Sequence, residues 1–303
     1  MRTRIAPSPT GYLHLGHAYS AWLTVALAKA MGLEVLLRLE DIDHTRCQPD
    51  YIAAIAPDLA EIGITFNALP LKQSTRFGAY AQALEKLEAL GLLYPCTCTR
   101  AEQNNTPEGL YNGACRHKTH RQIPPDTPYA LRLNVRRAVD YLKAQGQWPL
   151  YFTDATAGKV CATPEHLGDV VLSRKEFASS YHLSVVCDDA AQNISHIIRG
   201  ADLFESTHTH RLLQALLGLP TPEYIHHGLV VEVGKQKLSK SAAATPLNTL
   251  IKQGLPKADL QRLFENVPSI TEAPNQAFID LLPAHLRQNL TFMAVDTLLP
   301  DFK

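Results

Sequence analysis

The chain has 303 residues, 46% of them hydrophobic and 19% charged, with 29 basic and 29 acidic side chains. That length can bury a large core and hold two or three modules. The zero net charge speaks neither for nor against a nucleic-acid partner, so any RNA surface must come from local clustering. No run of about 18 apolar residues is present, so no membrane span is expected. The opening "MRTRIAPSPTG" has basic residues but no apolar run behind them, so no secretory signal is expected and a cytoplasmic enzyme is the default. In that setting Cys47, Cys96, Cys98, Cys115, Cys161 and Cys187 suggest metal binding or burial rather than disulfides.

In chain order, "TRIAP" predicts a strand and "AYSAWLTVALAKAMG" a helix stopped by Gly32. "LEVLLRLE" (33–40) is an apolar run of the kind found in buried parallel strands. Residues 49–62 have helical spacing, and Ser74 is expected to cap a further helix running to Gly91. Alternation of strand and helix predicts a parallel sheet with crossover helices. Residues 94–128 are rich in Cys, Thr, Asn, Pro and basic side chains and read as an inserted module. "YALRLNV" and "PLYFTDATAGKVCA" predict antiparallel strands. "HLGDVVLSR" and "YHLSVVCDDAAQNISHIIRG" return to strand character, and "THTHRLLQALLG" is a helix stopped by Gly218. "YIHHGLVVEV" is a strand followed by "GKQKLSKS", and the remaining residues carry helical patterns broken by Pro and Gly.

Two stretches carry chemistry. In "APSPTGYLHLGHAYSAW" (6–22) a strand, a tight turn and a helix start succeed one another, which aims backbone N–H groups at an anion. Gly11 and Gly16 allow close backbone contact, Gly16 leaving room for a flat ring, and His14 and His17 can face one bound phosphate and stabilise charge on it. In "GKQKLSKS" (234–241) Lys237 and Lys240 flank Ser239 in a cationic loop able to close over a triphosphate.

Together HLGH and KLSKS form the motif pair of the class I aminoacyl-tRNA synthetases. "RIAPSPTGYLHLGH", "LLRLEDIDHTR", "LGDVVLSR", "YHLSVVCDDAAQNISHIIRGADL" and "KLSK" resemble the glutamyl branch of that class, in its order, over about residues 2–245. With the short length and the cysteine cluster, the chain is most similar to the glutamyl-Q tRNA(Asp) synthetase family, shortened paralogues of glutamyl-tRNA synthetase. The resemblance implies an α/β fold: a Rossmann-type parallel-sheet catalytic core, an inserted α+β zinc-bearing module and a short helical C-terminal segment. The expected divisions are 1–93 and 176–245 for the two halves of the core, 94–175 for the insertion and 246–303 for the helical segment.

A pocket selective for L-glutamate needs two cations for two carboxylates and an anion for the ammonium. Arg4 beside the phosphate turn and Arg199 at the end of "SHIIRG" supply the cations, Arg matching carboxylates as a fork. Glu40, at the C-terminal end of the "LLRL" strand, can hold the ammonium, and Tyr181 and Ser8 can donate hydroxyls. The resemblance assigns Arg4, Ile5, Ala6, Pro7, Ser8, Glu40, Tyr181 and Arg199 to glutamate, and His14, Gly16, His17 and Lys240 to ATP, with His14, His17, Lys237 and Lys240 catalytic. Which arginine meets which carboxylate stays open.

Three thiols, Cys96, Cys98 and Cys115, plus one more ligand could hold one structural Zn²⁺. The family pattern puts Tyr111 fourth, while His117 and His120 are chemically easier ligands. Cys47, Cys161 and Cys187 are expected to be ordinary packing residues. The implied partners are ATP with Mg²⁺, L-glutamate and tRNA(Asp) carrying queuosine. About sixty residues come after KLSKS, too few for a large anticodon-reading domain, in keeping with attachment of glutamate to the anticodon base itself. "RHKTHR" (116–121), Arg136, Arg137 and Lys143 are candidates for the RNA backbone. The competing expectations are charging of the 3′ end of tRNA(Glu), ligation of glutamate to a small amine, and an inactive RNA binder.

Overall fold

The computed structural model describes residues 1–99, 102, 110–232, 245–253 and 290–293. In chain order the strands are β1 (Arg2–Ile5), β2 (Glu34–Leu39), β3 (Leu71–Lys72), β4 (Leu93–Cys96), β5 (Ala130–Leu133), β6 (Tyr151–Asp154), β7 (Gly158–Cys161), β8 (Val171–Ser173), β9 (His196–Gly200), β10 (Glu223–His227), β11 (Leu229–Glu232) and β12 (Leu290–Met293). The helices are α1 (Leu15–Met31), α2 (Pro49–Glu61), α3 (Phe77–Ala89), α4 (Val135–Ala144), α5 (Tyr181–Ala191), α6 (Phe204–Leu217) and α7 (Leu247–Lys252).

The fold is α/β around parallel strands. β1 pairs with β2, Ile5 opposite Leu37, and β2 with β3; β9 pairs with β10 and β10 with β6, all in parallel. The Ser195 amide donates to the Arg2 carbonyl (3.0 Å) and the Arg2 amide to Ser195 Oγ (2.9 Å), which sets β9 beside β1. The strand order therefore runs β3-β2-β1-β9-β10-β6, with β7 closing an antiparallel hairpin at the β6 edge. Order reverses between β1 and β9, and ligands of open parallel sheets bind in the crevice at such a reversal, beyond the carboxyl ends of the strands. A separate antiparallel sheet, β4-β5-β8, draws its strands from both sides of the cysteine-rich stretch. The hairpin β6–β7, although inside the stretch expected to be inserted, pairs with β10 of the parallel sheet.

Local chemistry sets the boundaries. α1 and α6 end at Gly32 (φ 66°) and Gly218 (φ 69°), left-handed positions that glycine fills without a Cβ clash, as expected from the sequence. One face of α1 packs Leu15, Tyr19, Trp22 and Leu23 into a core shared with Ile5, Leu37 and Ile198 of the strands. A second core gathers α3, α5 and α6 over Phe152 and Tyr224.

Several expectations are corrected. Ser74 does not cap α3; its Oγ and amide both donate to Asp41 (2.7 and 2.8 Å), and α3 starts at Phe77 without a side-chain cap. The stretch 181–191 is helix rather than strand. Leu183 and Val186, three apart, are buried in the second core while the buried Asp188 and Asp189 take guanidinium partners, so tertiary contacts override the β-branched residues. "YIHHGLVVEV" forms two strands, divided at Gly228. Cys161 is exposed on β7 rather than packed, while Cys47 is buried and Cys187 half-buried. In the C-terminal segment α7 is helical, but residues 290–293 form β12, antiparallel to β11, not helix. Among the described residues no helix is long and apolar enough to cross a membrane.

Candidate active site

A cavity of about 330 Å³ occupies the crevice between β1 and β9. Arg4–Pro7 at the end of β1, Glu40 after β2, Ile198–Gly200 at the end of β9, and His227 after β10 form its floor. The start of α1 supplies one wall, with His14, Gly16 and His17, and Tyr181 at the start of α5 another. Gly200 allows the close approach of the next segment: a Cβ there would lie 2.5 Å from Asp202 Oδ1 and 2.7 Å from Leu229 Cδ2.

Each arginine of the cavity is held from behind. Arg4 Nε donates to Asp189 Oδ1 (2.9 Å), its sole side-chain hydrogen bond among the described residues, so its terminal nitrogens remain available. The same Oδ1 takes Arg38 Nη2 (2.5 Å), and Arg38 Nε donates to Gln192 Oε1 (2.8 Å). Burial alone would raise Asp189, but Arg38 and Arg4 hold it below the usual carboxylate value, so it remains an anion between two cations. Asp188 next to it accepts from Gln73, Arg76 and Tyr80 at 2.6–2.9 Å, fixing α5 against α3.

Arg199 is surrounded by neutral acceptors. It donates through Nη2 to Thr207 Oγ1 (2.6 Å) and the Leu203 carbonyl (3.1 Å), through Nη1 to Tyr181 Oη (3.1 Å), and through Nε to His226 Nε2 (3.2 Å). An arginine Nε can only donate, so His226 Nε2 must accept and the ring proton sits on Nδ1. That proton meets Asp154 Oδ2 at 2.7 Å. Asp154 Oδ1 accepts the amides of Thr156 and Ala157 (both 2.9 Å). Burial alone would lift Asp154, but the His226 hydrogen bond and these amides hold it below its ordinary value, while burial drives His226 down to about 4. A buried anion thereby fixes one histidine tautomer, and the histidine fixes the arginine.

Glu40 is half-buried; its amide donates to the Pro7 carbonyl (3.1 Å), and Ser8 Oγ lies 3.4 Å from its Oε2. Burial pushes its carboxyl up to about 7 against the pull of Arg38 and Arg4. Arg38 and Arg4 only partly offset the cost of burying its charge, a setting that favours a cationic ligand group.

The histidine pair has a structural role that the sequence reading missed. His14 is the N-cap of α1: its Nδ1 accepts the Gly16 amide (3.1 Å), while His17 Nδ1 accepts the His14 amide (3.2 Å), a reciprocal capping box built from two imidazoles. With both Nδ1 atoms accepting, both protons sit on Nε2. The rings lie 3.9 Å apart, and burial lowers His14 to about 4 and His17 to about 3, the latter also repelled by His14. At neutral pH the cavity wall therefore presents two neutral N–H donors. His14 Nε2 is buried without a hydrogen-bond partner among the described residues.

Away from the cavity, the sulfurs of Cys96, Cys98 and Cys115 lie within 4.8 Å of one another and could hold a metal ion. Tyr111 Oη lies 3.5 Å from Cys96 Sγ and 3.6 Å from Cys98 Sγ, completing a four-atom donor set. His120 is turned away, its Nε2 2.8 Å from Glu88 Oε1, and neither it nor His117 joins the sulfur cluster. Of the basic stretch nearby, Arg116 pairs with Asp169 (2.7 Å) and Lys118 Nζ donates to Thr97 Oγ1 (3.1 Å).

The structure thus brings Arg4, Ile5, Ala6, Pro7, Glu40, His14, Gly16, His17, Tyr181 and Arg199 to one cavity, with Ser8 against Glu40. Lys237 and Lys240 lie outside the described residues. The supporting groups Asp189, Asp154 and His226 were not singled out by the sequence, although adjacent aspartates in an otherwise apolar helix, "VVCDD", are a readable signal.

Residues 1–267 match the family of tRNA synthetases class I (E and Q), catalytic domain. A glutamyl-Q tRNA(Asp) synthetase of Rhodobacter capsulatus is 43% identical over 282 residues, covering 87% of this chain and 99% of that protein. A glutamyl-Q tRNA(Asp) synthetase of Cupriavidus metallidurans is 40% identical, covering 82% and 79%. Among solved structures, a glutamate-tRNA synthetase from Elizabethkingia anophelis has a TM-score of 0.63 at 28% identity, over 79% of this chain. The chain spans 52% of that longer enzyme's length. By motif, topology and these similarities, the chain belongs to the catalytic-domain family of the class I glutamyl- and glutaminyl-tRNA synthetases.

Proposed function

We propose that the chain activates L-glutamate with ATP and transfers the glutamyl group to queuosine in the anticodon of tRNA(Asp). One observation carries the reading: two guanidinium groups and one carboxylate converge on a single cavity beside the His14–His17 helix cap. This charge pattern complements a dicarboxylic amino acid, and the similarity to glutamyl-Q tRNA(Asp) synthetases supports the RNA acceptor.

In the proposed first step a glutamate α-carboxylate oxygen attacks the α-phosphorus of ATP in line. The bond to the pyrophosphate oxygen breaks, giving glutamyl-adenylate and pyrophosphate. Arg4 holds one carboxylate through its terminal nitrogens; Arg199 supplies the positive charge for the other and turns the Tyr181 O–H toward it, while Glu40 takes the ammonium with the Ser8 hydroxyl beside it. The Nε2–H groups of His14 and His17 donate to the α-phosphate oxygens as charge accumulates on them, and Lys237 and Lys240 neutralise the departing pyrophosphate. Mg²⁺ enters with the nucleotide. In the second step a queuosine hydroxyl attacks the acyl carbon and AMP leaves. Positioning and charge stabilisation suffice, with no covalent enzyme intermediate.

The cysteine cluster fits one structural Zn²⁺ held by Cys96, Cys98, Cys115 and Tyr111. Three thiolates and a phenolate match tetrahedral zinc, which would supply rigidity to the β4-β5-β8 module.

Glutamate-dependent ATP–pyrophosphate exchange, run without RNA, tests the reading. Exchange with glutamate and not with glutamine is expected; no exchange with either sinks it.

A further inference from the structure

A second cavity, of about 390 Å³, lies on the other side of Tyr181 from the first. Its polar lining includes Arg132, Arg174, Ser180 and His182, with Tyr111 of the cysteine cluster at its edge. Ser180 and Arg132 are 3% and 4% exposed, and among the described residues both Ser180 Oγ and Arg132 Nε lack a hydrogen-bond partner. A buried donor without an acceptor is destabilising, and two of them belong to residues that line this one cavity, a setting that suits a ligand with acceptor oxygens.

Arg132, Arg174, Ser180 and His182 all carry donors, and the backbone adds more. Ser180 is the N-cap residue of α5, an eleven-residue helix, yet it makes no side-chain capping bond, so the first-turn amides face outward with the positive end of the helix dipole. Arg174 is exposed at the mouth and makes no side-chain hydrogen bond among the described residues. His182 Nδ1 pairs with His210 Nε2 (3.2 Å). Because His210 Nδ1 faces the donor Arg199 Nη1 (3.4 Å), His182 Nδ1 accepts, and its Nε2 carries a proton. The acid in the lining, Asp169, is already engaged: its carboxylate takes Tyr94, Arg116 and the Val135 amide, and its carbonyl takes Arg132 Nη1. The cavity thus has a surplus of donors and positive charge.

We propose that this cavity is a phosphate site, and that it takes a backbone phosphate of the RNA next to the acceptor nucleoside. This rests on the proposed transfer to RNA. Tyr181 lines both cavities, so a phosphate bound at the α5 N-terminus sits one residue from the glutamate pocket. That geometry would bring the neighbouring nucleoside's hydroxyl to the activated acyl group.

The test compares wild type with Arg174→Ala, Arg174→Lys and Ser180→Ala. Arg174 is exposed, so its variants should fold. Three quantities are measured: RNA-free glutamate-dependent exchange, KM for queuosine-bearing tRNA(Asp) in glutamate transfer across salt concentrations, and thermal protection by inorganic phosphate. Arg174→Ala is expected to raise the RNA KM about tenfold and to flatten its log–log salt slope by about 0.7, the loss of one phosphate contact. Exchange should stay within twofold of wild type, and Arg174→Lys should retain most RNA affinity. An unchanged RNA KM and salt slope in both Arg174→Ala and Ser180→Ala overturns the proposal. Phosphate protection that is lost in these variants while the RNA KM is unchanged reassigns the cavity to a free anion and overturns the RNA contact. Loss of exchange in the same proportion as transfer also overturns it. If wild-type protein exchanges with glutamate but does not glutamylate the RNA, the proposed function has failed, and the phosphate-protection comparison alone decides whether the anion site stands.

Discussion

Replacing Asp154 with asparagine should weaken glutamate binding from a position with no substrate contact. Asp154 accepts at both oxygens, His226 on one and two amides on the other. Asparagine offers one acceptor and one NH₂ group. If the NH₂ faces the two amides, three donors collide. If it faces His226, the ring proton must move to Nε2, where it meets the Arg199 Nε–H at 3.2 Å. Either outcome breaks a charge-assisted hydrogen bond worth about 1.5–3 kcal/mol. If that loss is transmitted to Arg199, KM for glutamate rises about 10- to 150-fold, at 1.4 kcal/mol per factor of ten. ATP–pyrophosphate exchange measured against each substrate separately is the assay, with the melting temperature tracked in parallel. KM for ATP should change less than threefold. A lowered melting temperature with an unchanged glutamate KM would refute the reasoning, because Asp154 would then act on the β6–β7 turn alone.

Other predictions concern separate parts of the site. Glu40, with its carboxyl raised to about 7, destabilises the fold increasingly as pH rises through 7; Glu40→Gln should raise the melting temperature at pH 8 more than at pH 5 while abolishing exchange. The same shift predicts that wild-type affinity for glutamate falls as pH drops through about 7, read from KM over pH 5.5–8.5. His17→Ala should lower kcat of exchange about 100- to 1,000-fold, the range for a lost oxyanion donor, with KM for glutamate within a few-fold. Lys240→Ala should cripple exchange while leaving glutamate binding measured by calorimetry largely intact. Treatment with a strong chelator should remove one zinc per chain, counted by elemental analysis, and lower the melting temperature; Cys98→Ser should lack that zinc as isolated.

The parts of the molecule that were legible from the sequence are those where local chemistry and tertiary fate agree. Gly32 and Gly218 end helices because only a left-handed residue can sit there, and the apolar "LLRL" run is a parallel strand because both its faces are covered. The cavity-facing residues were found through spacing and resemblance, since each sits at the carboxyl end of a strand or the start of a helix. The misreadings have a common cause. Ser74 looked like a cap, but a buried acceptor across the chain, Asp41, took its hydroxyl. Valines in 181–191 suggested a strand, but the acids beside them needed Arg4, Arg38 and Arg76, which a helix aligns. Asp154 and His226 are 72 residues apart, so no local pattern could have shown that they share a proton behind Arg199.

The destination of the glutamyl group tests the central claim most directly. Radiolabelled glutamate, ATP and the protein should be combined with matched tRNA pools that contain or lack queuosine, and the label then mapped by nuclease digestion. The account predicts label only in the queuosine-containing pool, confined to the anticodon arm of tRNA(Asp). Label on a 3′-terminal adenosine, or equal labelling of both pools, would contradict it.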